Sequence, residues 1–93
     1  MTDDSFEILS RHAIDRFGEI HQLDKAQEEL AELLVALSKW RADRSAENAI
    51  AVIDEIADAT IVLDQLRELF GRWECGAQTE FKRERLAQRL SIS

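Results

Sequence analysis

SAENAIAVIDEIADATIVLDQLRELFG, residues 45–71, is the stretch on which the fold turns. It opens on Ser45, a good helix N-cap, closes on Gly71, a good stop, and holds no proline or glycine between them. The spacing predicts one long helix reaching Phe70, with Val52, Ile56, Ala59, Val62, Leu63 and Leu66 as its apolar stripe. Glu55 falls inside that stripe, flanked by Val52, Ala59 and Val62. Asn48 lies on the same line two turns earlier, and Asp58 sits at the stripe's edge. Asp54, Asp64 and Glu68 point elsewhere and are expected to be solvated.

Working outward, a second long helix is expected from about Ile20 to Ala42, with Leu23, Ala26, Leu30, Leu33, Leu34 and Leu37 at helical spacing. Glu29 borders its stripe beside Ala26, Leu33 and Ala36. Glu32 stands one turn on, and Glu28 lies toward solvent. The segment ADRS breaks the two long helices apart. A first helix is expected over about Asp3–Phe17, capped by Thr2 or Asp3 and ended near Gly18. GRWECGAQ, with two glycines, is expected to be a short connection to a last helix from about Thr79 to Leu90. Four helices with short joints make a single all-α domain over residues 1–93, an antiparallel bundle with two long central helices. Two helices of roughly 30 Å expose more apolar face than two short ones can cover. An oligomer, a homodimer or homotetramer, is therefore expected.

Composition narrows the function. Twelve Lys/Arg against nineteen Asp/Glu give a net charge of −7, which argues against a broad nucleic-acid-binding surface. No run of about 18 apolar residues is present, so no membrane partner is expected. The acidic start MTDDSFEIL does not read as a signal peptide, and Cys75 is the only cysteine. Together these point to a cytoplasmic protein.

The acids are the informative feature. Glu29 and Glu32 on one helix, with Glu55 and Asp58 on the next, place carboxylates on or beside apolar stripes. An ionised carboxylate in such surroundings is costly unless something pairs with it. Lys25, four residues before Glu29, is the one helical neighbour of opposite charge. A divalent cation neutralises such a cluster, and all-oxygen ligation points to Mg²⁺ or Mn²⁺ rather than zinc. Glu-x-x-His pairs, an EF-hand loop, a P-loop, G-x-S-x-G and H-E-x-x-H are all missing from the sequence.

QEELAELLVALSK, ENAIAVIDEIADATIVLDQL and FKRERLAQRL together resemble the MazG-like all-α nucleoside triphosphate pyrophosphohydrolases over about Phe17–Leu90. The family signature E-E-x-x-E followed by E-x-x-D reads here as Glu28, Glu29, Glu32, then Glu55 and Asp58. The chain is most similar to the short, stand-alone members of bacteria and phages. The resemblance implies Mg²⁺-dependent hydrolysis of a nucleoside triphosphate to monophosphate and pyrophosphate, in nucleotide-pool control or house-cleaning. It implies Glu29, Glu32, Glu55 and Asp58 as metal ligands and catalytic acids. It also implies substrate contacts by Asn48 and Lys39, and by Lys82 and Arg85, one turn apart on the last helix and acting across a subunit boundary. Gln22 and Trp40 are weaker candidates, with packing the better reading for Trp40. Two departures from the family pattern stand out. Ala51 and Val52 replace a basic residue of larger members, and Val62 replaces the histidine of phosphoribosyl-ATP pyrophosphohydrolases. The competing class is a non-catalytic acidic helical interaction module derived from the same family.

Overall fold

The computed structural model describes residues 3–92, with residues 3 and 4 described by backbone alone. The helices are α1 (Asp3–Phe17), α2 (Glu19–Ala42), α3 (Ala46–Phe70) and α4 (Arg72–Arg89), and among the described residues there is no strand. The cap expected at Thr2 or Asp3 lies outside the described residues and side chains. Among the described residues no helix is long and apolar enough to cross a membrane.

Each break has a local cause. Gly18 (φ 91°) and Gly71 (φ 110°) adopt positive φ, where an L side chain is strained, and each ends one helix and starts the next. Between α2 and α3, the Ser45 hydroxyl accepts from the Asn48 amide at 3.2 Å, the expected N-cap. Asn48 in turn donates from Nδ2 to the carbonyls of Asp43 (2.8 Å) and Lys39 (3.4 Å), tying the start of α3 to the end of α2.

The last helix corrects the sequence reading. GRWECGAQ is not a connection: α4 starts at Arg72, directly after Gly71, and Gly76 lies within the helix. One positive-φ residue suffices to turn the chain, and Arg72 then anchors the first turn by donating to both carboxylate oxygens of Asp64 (3.0 and 2.9 Å) and to Glu68. Thr79, read as the helix start, is a mid-helix residue whose hydroxyl donates back to the Cys75 carbonyl at 2.8 Å.

The packing centre is the α2–α3 pair, with α1 laid across both; α4 packs on α3, meets α1 through the Arg72–Glu7 ion pair at 3.7 Å, and does not close a four-helix bundle. The buried apolar residues are small: Ala26, Ala36, Ala59 and Val62. Small side chains let α2 and α3 approach closely but bury little area. Much of the expected stripe stays open, with Leu34, Leu37, Ile56 and Leu63 each at least 40% exposed. The reason is geometric, since α4 departs from α3 instead of folding back over it. The radius of gyration of 15.8 Å exceeds the roughly 12 Å expected of a compact chain this size.

Asp64 and Glu68 are not the solvated acids the helical wheel suggested. Their side chains are only 15% and 18% exposed, because α1 and the start of α4 cover that side of α3. Ser10 donates to Asp64, and Arg11 donates to Glu68 at 2.8 Å. Asp54 is exposed, as expected.

Candidate metal centre

Halfway along the α2–α3 pair the seam turns acidic. Glu29 from α2 is 92% buried, while Glu55 and Asp58 from α3 are half-buried. Each of the three offers a carboxylate oxygen within 4.8 Å of the others, and Glu28, Glu29 and Glu32 form a second such group through the shared Glu29. Ala26 and Ala59, both buried on α2 and α3 within a turn of Glu29 and Asp58, leave room for the two helices to approach closely there. A larger residue at either position would push the carboxylates apart.

The crowding is only partly relieved from within the chain. Lys25 Nζ lies 3.1 Å from Glu29 Oε1 and 3.8 Å from Glu28. Glu29 Oε2 and Glu55 Oε2 are fully buried and no protein donor reaches either. Loss of solvation holds the Glu55 carboxyl above the usual range, helped by the charges of Asp58, Asp54 and Glu29. Asp58 is raised by desolvation and by Glu29, and Glu32 chiefly by the charge of Glu29. Buried oxygens without donors, in a set of carboxylates without His or Cys, fit a hard divalent cation such as Mg²⁺ or Mn²⁺.

Beside the acids is an open cavity of about 470 Å³. Glu28, Glu32 and Glu55 line its acidic end, Lys39 and Asn48 its other end, and Ala31, Val35, Ala36 and Ala51 its apolar wall. The structure thus brings together six of the eight residues singled out for the site: Glu29, Glu32, Glu55, Asp58, Lys39 and Asn48. The Nδ2 bonds of Asn48 to backbone carbonyls leave its Oδ1 as the group offered to a ligand.

Lys82 and Arg85 are not brought to the acids within one chain. They are exposed on α4, which makes no contact with α2, and Lys82 lines a different cavity together with Leu66, Phe70 and Cys75. Gln22 is buried, with its side chain bonded to Gln65 rather than open to the cavity. Trp40 is half-buried at the rim under the Arg44 guanidinium, 4.6 Å from the ring centroid.

A second cavity, of about 400 Å³, lies beside Asp64, Arg67 and Arg72. Its acid is already paired, because the Arg72 and Ser10 hydrogen bonds hold the Asp64 carboxyl below the usual range. Reading the helices singly missed this ion-pair group, although Asp64, Glu68 and Arg72 are spaced four residues apart in the sequence. Compared with models of protein families, with curated proteins and with solved structures, the chain matches none.

Proposed function

We propose that this chain is a Mg²⁺-dependent nucleoside triphosphate pyrophosphohydrolase of the MazG-like all-α kind, yielding a nucleoside monophosphate and pyrophosphate. One observation carries the reading: Glu29 Oε2 and Glu55 Oε2 are buried, face other carboxylates and have no donor. A helix pair held together for packing alone gains nothing from two such oxygens, each of which costs stability.

Glu29, Glu32, Glu55 and Asp58 would hold the cation, which supplies charge neutralisation for the triphosphate and acidifies an attacking water. The adjoining cavity would take the nucleoside, with its alanine-rich wall against an apolar ring. Lys39 would supply positive charge at the rim, and Asn48 Oδ1 would accept a hydrogen bond from the ligand. Water oxygen bonds to the α-phosphorus while the bond to the α–β bridging oxygen breaks and pyrophosphate leaves. The water proton passes to a carboxylate on the cavity wall, where Glu32 and Glu55 stand with raised proton affinity.

The exposed apolar faces support a homodimer or homotetramer, and a neighbour's Lys82 and Arg85 would then be free to reach the phosphates. Those same faces, with Ile50, Ile53 and Ile61 at least 50% exposed, favour the second reading, a non-catalytic interaction module. Pyrophosphate release measured over ribo- and deoxynucleoside triphosphates with Mg²⁺ separates the two. Release from at least one substrate, abolished by Glu29→Gln or Glu55→Gln, is expected. No release from any, with no Mg²⁺ effect on the melting temperature, would leave the module.

A further inference from the structure

The α2–α3 seam buries a second polar pair. Gln22 and Gln65 are only 6% and 8% exposed, and Gln22 Nε2 donates to Gln65 Oε1 at 2.7 Å. Gln22 Oε1 is in turn 2.7 Å from His21 Nδ1. Apolar side chains at both places would pack this seam at least as well, since a buried amide pair exchanges water bonds for one another with little net gain.

Their placement relative to the acids gives the pair a use. Gln22 stands seven residues before Glu29, and Gln65 seven after Asp58. At the hairpin end, Lys39 stands seven residues after Glu32, and Asn48 seven before Glu55. Seven residues are about two helical turns. Gln22 with Gln65, Glu29 with Asp58, Glu32 with Glu55, and Lys39 with Asn48 are therefore rungs of one antiparallel register. The acids lie between two hydrogen-bonded ends, the amide pair on one side and the Asn48 grip on the Lys39 and Asp43 carbonyls on the other.

The apolar rungs between them do little to fix that register. Ala26, Ala36, Ala59 and Val62 are small, so little interlocking of side chains opposes a slide of one turn, about 5.4 Å. The same slide exceeds the 4.8 Å within which Glu29, Glu55 and Asp58 converge. It also breaks the Gln22–Gln65 hydrogen bond across the buried seam, which penalises the wrong register and spares the right one. We infer that Gln22 and Gln65 are positioning residues: their hydrogen bond sets the α2–α3 register that holds Glu29 opposite Asp58 and Glu32 opposite Glu55. The inference rests on the metal-centre reading, and the pair itself touches neither cation nor substrate.

The test measures Mn²⁺ binding to the full chain through the electron-spin resonance signal of free Mn²⁺, alongside melting in EDTA. Gln22→Leu/Gln65→Leu is expected to melt at or above wild type yet bind Mn²⁺ about tenfold or more weakly, the scale seen when partners behind metal ligands are lost. Gln65→Glu, which keeps an acceptor for Gln22 Nε2, is expected to bind Mn²⁺ close to wild type. Should the double leucine variant not fold, Gln22→Met/Gln65→Met carries the same measurement. Undiminished Mn²⁺ affinity in a folded double variant overturns the register role and leaves the metal centre standing. Affinity that falls only in step with stability overturns it too. A wild-type chain that does not bind Mn²⁺ overturns the metal centre and the register role together.

Discussion

Glu55 concentrates the conflict of the site in one side chain: an acid half-buried among Asp58, Asp54 and Glu29, with one oxygen that no donor reaches. Its raised carboxyl, and those of Glu32 and Asp58, fix the sign of a pH effect in metal-free protein. An acid whose pKa is higher folded than unfolded holds its proton more tightly in the fold. Its destabilisation is then absent below the unfolded value of about 4 and complete once pH exceeds the raised folded value. In EDTA, the cluster is expected to make the chain melt lower as pH rises through that window. Glu55→Gln should flatten this dependence and melt above wild type at neutral pH, while losing the Mg²⁺-induced rise expected of wild type. A variant less stable than wild type without metal would mean that Glu55 is a satisfied structural acid. That Glu55 sits among apolar neighbours was legible in the helical wheel. That Glu29 is the more buried of the two was not, because its burial comes from α3 packing against it.

Among the elements, α4 depends on a joint rather than on a packed face. Arg72 reaches back to Asp64 and Glu68, and Arg11 of α1 meets the same Glu68, so one cluster fastens both outer helices to α3. Arg72→Met leaves two partly covered acids short of donors and is expected to cost about 1–3 kcal/mol in denaturant unfolding. The pH sign here is opposite to that at the acidic cluster of α2 and α3. Hydrogen bonds from Arg72 and Ser10 to Asp64, and from Arg11 and Arg72 to Glu68, hold both carboxyls low. Their stabilisation is present above the unfolded values of about 4 and is lost as pH falls through the depressed folded values. Arg72→Met should therefore remove part of the acid sensitivity below about pH 4, and an unchanged acid limb would count against the joint. Within α4, Gly76 has ordinary φ and open space where a Cβ would stand. Gly76→Ala should accordingly stabilise the helix by about 1 kcal/mol, read as a higher melting temperature. The first three helices were legible because Gly18, the Ser45 cap and Gly71 mark limits between them, and in α3 stripe, cap and stop coincide. The start of α4 was not, since two glycines five residues apart suggest a loop, and only the tertiary bonds of Arg72 reveal that one of them is helical.

For the molecule as a whole, the question is what completes it. Among the described residues the buried apolar ones are three alanines and a valine, no large side chain is fully buried, and α4 with its C-cap leaves the body carrying Trp73, Phe81, Leu86 and Leu90, each more than half exposed. A second copy can cover such faces, and sedimentation at micromolar concentration is expected to show a mass at least twice the 10.7 kDa of one chain. A shared site makes a sharper demand. Within one chain Lys82 and Arg85 do not come near the acids, so any role in binding phosphates requires them to come from a neighbour. Glu55→Gln keeps Lys82 and Arg85 but spoils its own acids; Lys82→Ala/Arg85→Ala keeps the acids but lacks the cations. Each variant alone is expected to release little pyrophosphate, the first through loss of turnover and the second through a raised KM. Refolded together from an equimolar mixture, half the molecules of a dimer pair one chain of each kind, and one of the two sites in each such pair is intact. Recovery of about a quarter of wild-type activity is expected at substrate concentrations where both parents are nearly silent. A mixture no more active than the parents, from a chain that sediments as an oligomer, would mean that each chain uses its own acids without its neighbour's cations and would return Lys82 and Arg85 to the solvated surface.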